Sequence, residues 1–243
     1  MIAEAIRNAL GFLASLPFRL VPRRLRFDAV MRFGFAIAPF AGPRLVGRFE
    51  NVVGGSIDET LRVLFRALLR TGIRYEPRIE ADVDEELLPA LRAGGIIGVT
   101  AHFPLNAFFL RWLHDQGHGV ITAVRDMPGR SNIWGTGTPI DLIQPTRHVM
   151  VQMRKKLSEG CPLLLAIDRA KPHTRAIAVE TRFGATAVAT PMFTLAEKMG
   201  VPMFFYAVRV TESRAVRLTV RRIPYDPNAF AEQFRRHSEL MLP

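Results

Sequence analysis

The sequence predicts a single α/β domain in which helices flank a mostly parallel, mixed sheet. From Gly95 onward, apolar runs of strand length alternate with segments of helical spacing, the pattern of parallel strands joined by helices. The run 163–167 is continuously apolar, as expected of a strand that is covered on both sides. With 243 residues, 49% hydrophobic and 23% charged, the chain can bury one substantial core, which excludes a disordered or fibrous protein.

Residues 1–50 form a basic, apolar segment that we expect to be an amphipathic helical unit associated with a membrane. Its two uncharged runs, 9–18 and 33–43, are ten and eleven residues long, whereas a membrane span needs ~18–20. The first run lacks a cleavage signature and leads into Arg19, which disfavours a secretory signal. Seven arginines surround these runs: Arg19, Arg23, Arg24, Arg26, Arg32, Arg44 and Arg48. The combination favours a helix in the headgroup layer, and the alternative is an ordinary amphipathic helix that covers the core.

Residues 51–243 are predicted to form the α/β domain, which opens with two helices. Ser56 and Glu59 fit a capping box at the start of the first helix. The apolar stripe of that helix consists of Leu61, Leu64, Phe65, Leu68 and Leu69. The second helix spans about 84–93, and we expect it to stop at Gly94-Gly95.

The remainder of the chain alternates between the two kinds of element. Strands are predicted at 96–101, 120–124, 163–167, 176–179, 202–210 and 215–222. Helices are predicted at 105–114, 147–158, 188–199 and 229–240.

The charge predicts an anionic partner. The formal net charge is +11, from 29 arginines and 4 lysines against 22 acidic residues. Phospholipid headgroups, nucleic acid or an acidic protein would each be attracted. The single Cys161 excludes a disulfide framework and a cysteine-based metal cluster, which suits a reducing compartment or its membrane surface.

His102 is the first candidate for a catalytic residue. It ends an apolar run of strand type and precedes a segment with helical spacing. A strand-to-helix turn exposes its side chains at the carboxyl edge of a sheet, where imidazole can act as a base near neutral pH. The alternative is a histidine that merely packs at the end of a strand.

Two further strand ends carry charged residues that should reach the same edge. Asp168 and Arg169 follow the strand 163–167 and can orient a histidine or bind a phosphate; the alternative is a structural ion pair. Arg125 follows the strand 120–124 and can hold an anionic headgroup; the alternative is a solvated strand end.

Other familiar site patterns are missing from the sequence. The glycine-rich segment 135–138 lacks the spacing of a P-loop, and the chain contains neither GxGxxG nor GxSxG. Arg217, Arg221 and Arg222 alternate with apolar residues without interleaved aromatic residues, which favours a polar sheet face over an RNA-binding stripe.

Several motifs follow one another in the order found in a known family. Leu87, Leu91 and Gly94-Gly95 lead into the histidine segment 100–103, the strand that ends at Arg125 follows, and a later apolar strand ends in Asp168-Arg169. The segment 182–184, Arg-Phe-Gly, precedes a helical pattern, and 200–202, Gly-Val-Pro, opens the strand 203–210. Because of these motifs and their order, the chain resembles the lysophospholipid acyltransferase superfamily, and most closely its lipid A late-acyltransferase branch.

The resemblance implies a glycerolipid acyltransferase-like fold and fatty-acyl transfer. His102 would be the general base on an acceptor, which attacks the thioester of acyl carrier protein or coenzyme A. The substrate-binding residues would be Asn106, Arg125, Arg169, Phe183 and Gly184. The resemblance implies no metal or redox cofactor and a peripheral location on the cytoplasmic face of the inner membrane. Catalysis would also need an apolar slot for the acyl chain beside His102.

One departure from the family pattern leaves a second hypothesis open. The family motif places an acid five residues after the histidine, and that position is Ala107 here. The acid normally orients the imidazole and stabilises its charged form. Asp168 is the expected substitute if it lies within ~3 Å of the ring. Otherwise the chain would be a catalytically degenerate protein that binds acyl chains or an acyl carrier without turnover.

Overall fold

Within the residues that the structure describes, seven strands form one mixed sheet. The computed structural model describes residues 16–46, 55–119, 121–123, 141–143, 148–170 and 172–242. The strands are β1 (Ile79–Val83), β2 (Ile97–Thr100), β3 (Ile121–Ala123), β4 (Asp141–Ile143), β5 (Leu163–Ala166), β8 (Met203–Val210) and β9 (Val216–Ile223), with β6 (Ala176–Thr181) and β7 (Gly184–Ala189) forming a separate antiparallel hairpin. The sheet order is β1-β9-β8-β2-β5-β3-β4. All neighbours are parallel except β8 and β9, which confirms the mixed, mostly parallel sheet.

Helices cover both faces of this sheet. They are α1 (Arg23–Val46), α2 (Ser56–Arg70), α3 (Leu87–Gly94), α4 (Ala107–Asp115), α5 (Val149–Ser158), α6 (Pro191–Met199) and α7 (Pro227–Glu239), preceded by a 3-10 turn, Leu16–Arg19. Successive residues of β8 alternate between two cores. Phe204 and Tyr206 pack with α2 and α4, whereas Phe205 and Ala207 pack with α6 and α7.

The described part of the N-terminal segment contributes to one of these cores. Phe27, Val30 and Met31 of α1 are buried in the same cluster as the apolar stripe of α2. The two helices approach closely at Gly34, where a Cβ atom would lie 2.4 Å from the Leu61 side chain. The opposite side of α1 is exposed, and Phe40 has 78% of its surface accessible. Among the described residues, no helix combines the length and the apolar character needed to cross a bilayer.

Some element predictions were wrong. The helix predicted from residue 188 begins at Pro191, because β7 extends to Ala189 and proline is favoured in the first helical turn. The predicted strand 176–179 exists as β6, but it belongs to the hairpin and not to the main sheet. Strands β1, β4 and β7 were not predicted. The first and third have low strand propensity, since β1 carries two acids and half of β7 is alanine.

The arginines of β9 make ion pairs on both sides of the strand, Arg217 and Arg221 on one side and Arg222 on the other. Arg217 and Arg221 pair with Glu80 and Asp82 on the neighbouring strand β1, at 2.8 and 2.5 Å. Arg222 pairs with Glu86, at the start of α3. These arginines therefore join the edge strand to the sheet.

The strand directions define the edge of the sheet at which most of the strands end. Strands β2, β5, β3, β4 and β8 all run the same way, so their carboxyl ends meet at one edge. Residues that follow β2 and β5 emerge side by side there, because these two strands are direct neighbours. His102 and Asp168 are two such residues.

Candidate active site

The turn after β2 holds His102 at the carboxyl edge of the sheet. The main chain folds back immediately, since the Phe103 N–H donates to the Ala101 carbonyl at 2.7 Å. Asn106 fixes the same turn: its side-chain amide donates to Thr100 Oγ1 at 2.9 Å and to the Ala101 carbonyl at 2.7 Å. Helix α4 begins at the next residue. The predicted strand-to-helix turn is confirmed.

Asp168 contacts His102 through both of its carboxylate oxygens. His102 Nδ1 lies 2.5 Å from Asp168 Oδ1, and the His102 main-chain N–H donates to Asp168 Oδ2 at 3.0 Å. The main chain beyond β5 is aligned with the turn by a bond of 2.9 Å from the Ile167 N–H to the Thr100 carbonyl. The 2.5 Å distance is within the ~3 Å required if Asp168 is to substitute for the acid that is missing at position 107.

The two partners differ in exposure in a way that suits acid–base chemistry. The Asp168 side chain is 1% exposed and that of His102 is 34% exposed. A carboxylate can only accept, so Nδ1 of the neutral ring carries the hydrogen and Nε2 keeps its lone pair. A partly exposed imidazole oriented by a buried carboxylate can take a proton from a hydroxyl group.

The structure gives the other predicted site residues different positions. The Asn106 side-chain amide donates both of its described hydrogen bonds within the turn that carries His102. Arg169 is exposed beside Asp168. Phe183 lies in the turn between β6 and β7, where the Arg182 guanidinium covers its ring at 4.7 Å, and Gly184 is the first residue of β7. Arg125 lies outside the described residues.

Ala107 is the first residue of α4, at the position of the family's motif acid. The neighbouring strand supplies a carboxylate to His102 instead. An acid that is close in space but 66 residues away in sequence carries no local signature.

Sequence reasoning missed Thr186. Its hydroxyl donates to the Asp168 main-chain carbonyl at 2.6 Å. The signal available was a lone threonine among the alanines of β7, at a position of the strand that alternation places on the same side as the buried Val188.

A second polar cluster, formed by Asp58, Arg209 and His237, was also missed. Asp58 is fully buried in α2, and its Oδ1 accepts the Val210 N–H at 3.1 Å. Burial raises the pKa of Asp58 to about 7. Burial, with the nearby charge of Arg209, lowers the pKa of His237 to about 3. Asp58 falls on the apolar stripe of α2, three residues before Leu61, which was the signal available.

The Asp58–Arg209–His237 cluster lies near the candidate site. Arg209 is at the carboxyl end of β8, next to β2, and the His237 ring lies 4.9 Å from the ring of Phe103, the residue after His102. Three side-chain atoms of this cluster are buried without a hydrogen-bond partner in the described structure: Asp58 Oδ2, Arg209 Nε and His237 Nε2.

Two surface grooves lie away from His102. They have volumes of about 600 and 440 Å³ and share Pro202, Arg222 and Tyr225. These residues surround the start of β8 and the end of the antiparallel β9, at the opposite edge of the sheet. Neither groove corresponds to the acyl slot expected beside His102, which stays a prediction.

Neither a protein-family model nor a curated protein matches this chain. What supports a function is therefore the geometry at the carboxyl edge of the sheet, together with the order of the motifs in the sequence.

Proposed function

We propose that the protein transfers a fatty acyl group from an acyl thioester to a hydroxyl or amine of a lipid-like acceptor at a membrane surface. The observation that carries the proposal is the 2.5 Å contact between His102 and the buried Asp168 at the edge where α/β proteins place their sites. The order of motifs shared with the lysophospholipid acyltransferase superfamily supports the same chemistry. The donor would be acyl carrier protein or coenzyme A.

In the proposed reaction His102 moves one proton in two steps. Nε2 accepts the proton of the acceptor hydroxyl while its oxygen attacks the thioester carbonyl carbon, giving a tetrahedral oxyanion. The carbonyl then re-forms, the carbon–sulfur bond breaks, and the ring returns the proton to the leaving thiolate. Asp168 stabilises the imidazolium between the two steps. The products are an acylated acceptor and a free thiol.

The net positive charge of the chain would favour the proposed donors. Arg169 is exposed directly after Asp168, and the whole chain carries a net charge of +11. An acidic carrier protein or the phosphates of coenzyme A would both be attracted by such a surface. Arg125 would add to it if its strand end reaches the same edge.

An exposed stripe of α1 supports a membrane-surface location, and the cytoplasmic face of the inner membrane is the location that the resemblance implies. Leu25, Phe33 and Phe40 are spaced by eight and seven residues, so they share one side of the helix, and each is exposed. Leu20 just before the helix is 90% exposed. The exposed Arg24 and Arg32 add about 1 kcal/mol each near anionic lipid. This combination would suit contact of the exposed side of α1 with an anionic membrane surface.

The alternative is a protein that binds acyl chains or an acyl carrier without turnover. This alternative follows from Ala107, because a histidine without a neighbouring acid is a poor base. The contact between His102 and Asp168 favours turnover, because a carboxylate is available to the ring.

The test is acyl transfer by purified protein on anionic vesicles that contain a panel of lysolipids, with acyl-CoA and acylated acyl carrier protein as donors, each radiolabelled in the acyl chain. We expect labelled lipid with the wild type and none above background with His102→Ala. His114→Ala, a change of an exposed histidine at the end of α4, is the matched control and should retain activity. Donor binding without transfer by the wild type would favour the non-catalytic alternative.

A further inference from the structure

Strand β7 holds the main chain around Asp168. The Ala189 N–H donates to the Ile167 carbonyl at 2.8 Å, and the Ala170 N–H donates to the Ala187 carbonyl at 3.0 Å. Between these two bonds, the Thr186 hydroxyl donates to the Asp168 carbonyl at 2.6 Å. The acid is therefore held from the hairpin as well as from the sheet.

Asp168 needs this support because its side chain must satisfy two donors at once. One carboxylate oxygen meets the His102 ring and the other meets the His102 main chain. The residue lies just beyond the end of β5, so the β2–β5 ladder does not include it. A small rotation of its peptide would separate the carboxylate from the ring.

The hydroxyl is the part of Thr186 that this contact requires. Thr186 and the fully buried Val188 are two residues apart in β7 and so point to the same side of the strand. Valine has the same shape and would fill that place equally well. Threonine adds the donor that the Asp168 carbonyl receives.

We propose that Thr186 is a positioning residue for the His102–Asp168 pair. It acts through the Asp168 main chain, and it keeps the carboxylate in contact with the ring during proton transfer. The inference rests on the proposed function for its kinetic consequence. Its structural consequence, the state of the hydrogen bond between the ring and the carboxylate, is measured independently of any activity.

The test compares Thr186→Val with Thr186→Ser, which keeps the hydroxyl. The matched control is Thr190→Val, since the Thr190 hydroxyl also donates to a main-chain carbonyl, that of Arg175 just before β6 at 3.2 Å, without touching Asp168. The first readout is the low-field proton NMR signal of the His102 ring, assigned by its loss in His102→Ala. The second is the kinetics of acyl transfer.

We expect Thr186→Val to lose the low-field signal and to lower kcat roughly tenfold with KM unchanged, as for one removed hydrogen bond that acts in the transition state. Thr186→Ser and Thr190→Val should keep both. An unchanged signal in Thr186→Val overturns the inference, whatever the kinetics show. If Thr186→Val does not fold, Thr186→Ala replaces it and is judged by the same signal. A wild type that shows the signal but no transfer contradicts the proposed function alone.

Discussion

Asp168 accepts hydrogen bonds from both the ring and the main chain of His102, a residue 66 positions earlier in the sequence. The double contact fixes the orientation of the imidazole relative to the strand from which it emerges. Because the carboxylate is 1% exposed, water does not compete effectively for its oxygens. The pair thus combines a rigid acceptor with a partly exposed base, which is the arrangement on which the proposed chemistry depends.

Replacement of Asp168 by asparagine should strongly lower acyl transfer while the protein remains folded. Asparagine can keep one of the two contacts, but it has no charge to stabilise the imidazolium, and its amide group can donate to Nδ1 and favour the wrong tautomer. We expect kcat to fall by about 10²–10⁴-fold, the upper value being that of the equivalent change in a serine-protease triad. Initial rates at saturating donor check this, with Asp115→Asn, on the exposed end of α4, as the control.

The restoration of an acid at position 107 should give no gain in activity. Asp168 already occupies Nδ1 of His102, so a second carboxylate can only compete for the same atom or repel the first. We expect Ala107→Glu to be no faster than the wild type and no faster than Ala107→Gln, its uncharged counterpart. A rate above that of the wild type would mean that Asp168 does not serve as the acid of this site.

Replacement of Asp58 by asparagine should change how stability depends on pH. The ordinary pKa of aspartate is 3.8, and burial raises that of Asp58 to about 7. Between these values the folded chain holds more protons than the unfolded chain, so the contribution of Asp58 to stability is present at low pH and is lost as the pH rises towards 7. Asparagine stays neutral and can still accept the Val210 N–H.

The free energy of unfolding of Asp58→Asn, minus that of the wild type, should therefore increase by roughly 2–4 kcal/mol from pH 4.5 to pH 7.5. Urea unfolding at several pH values measures the difference. His237 has a lowered pKa and gives the opposite slope below pH 6.5, but it is present in both proteins and cancels in the subtraction. A difference that stays flat across this range would show that Asp58 is ionised without cost in the folded chain.

Removal of the exposed apolar side chains of the N-terminal region should weaken membrane binding. We expect Leu20→Ser and Phe40→Ser each to reduce the partition onto vesicles of phosphatidylcholine and phosphatidylglycerol roughly tenfold, because each loses apolar area that lipid would cover. Co-sedimentation measures the partition. Val151→Ser, which removes an exposed apolar side chain from α5, is the control. If all three variants bind the vesicles equally well, the N-terminal region that contains α1 is not the surface that contacts the membrane.

The local pattern of apolar residues was sufficient to predict much of the fold. The long apolar runs at 163–167 and 203–210 appear as the buried strands β5 and β8, and helix α3 ends at Gly94 as predicted. Strands of low strand propensity were missed, since β1 is an exposed edge strand with alternate acids and three of the six residues of β7 are alanine. Their pairing partners, β9 and β6, make them strands. Pairing is a tertiary property that local composition does not carry.

By itself the sequence determined that His102 and Asp168 each follow an apolar strand, and therefore that both reach the carboxyl edge of a parallel sheet. Only the tertiary structure decided that β2 and β5 are direct neighbours, which sets the side chains 2.5 Å apart. It also decided that a threonine of a separate hairpin meets the Asp168 carbonyl. The physical reason is that side-chain chemistry and periodicity are encoded locally, whereas the contact between two strand ends depends on the order in which the strands pack.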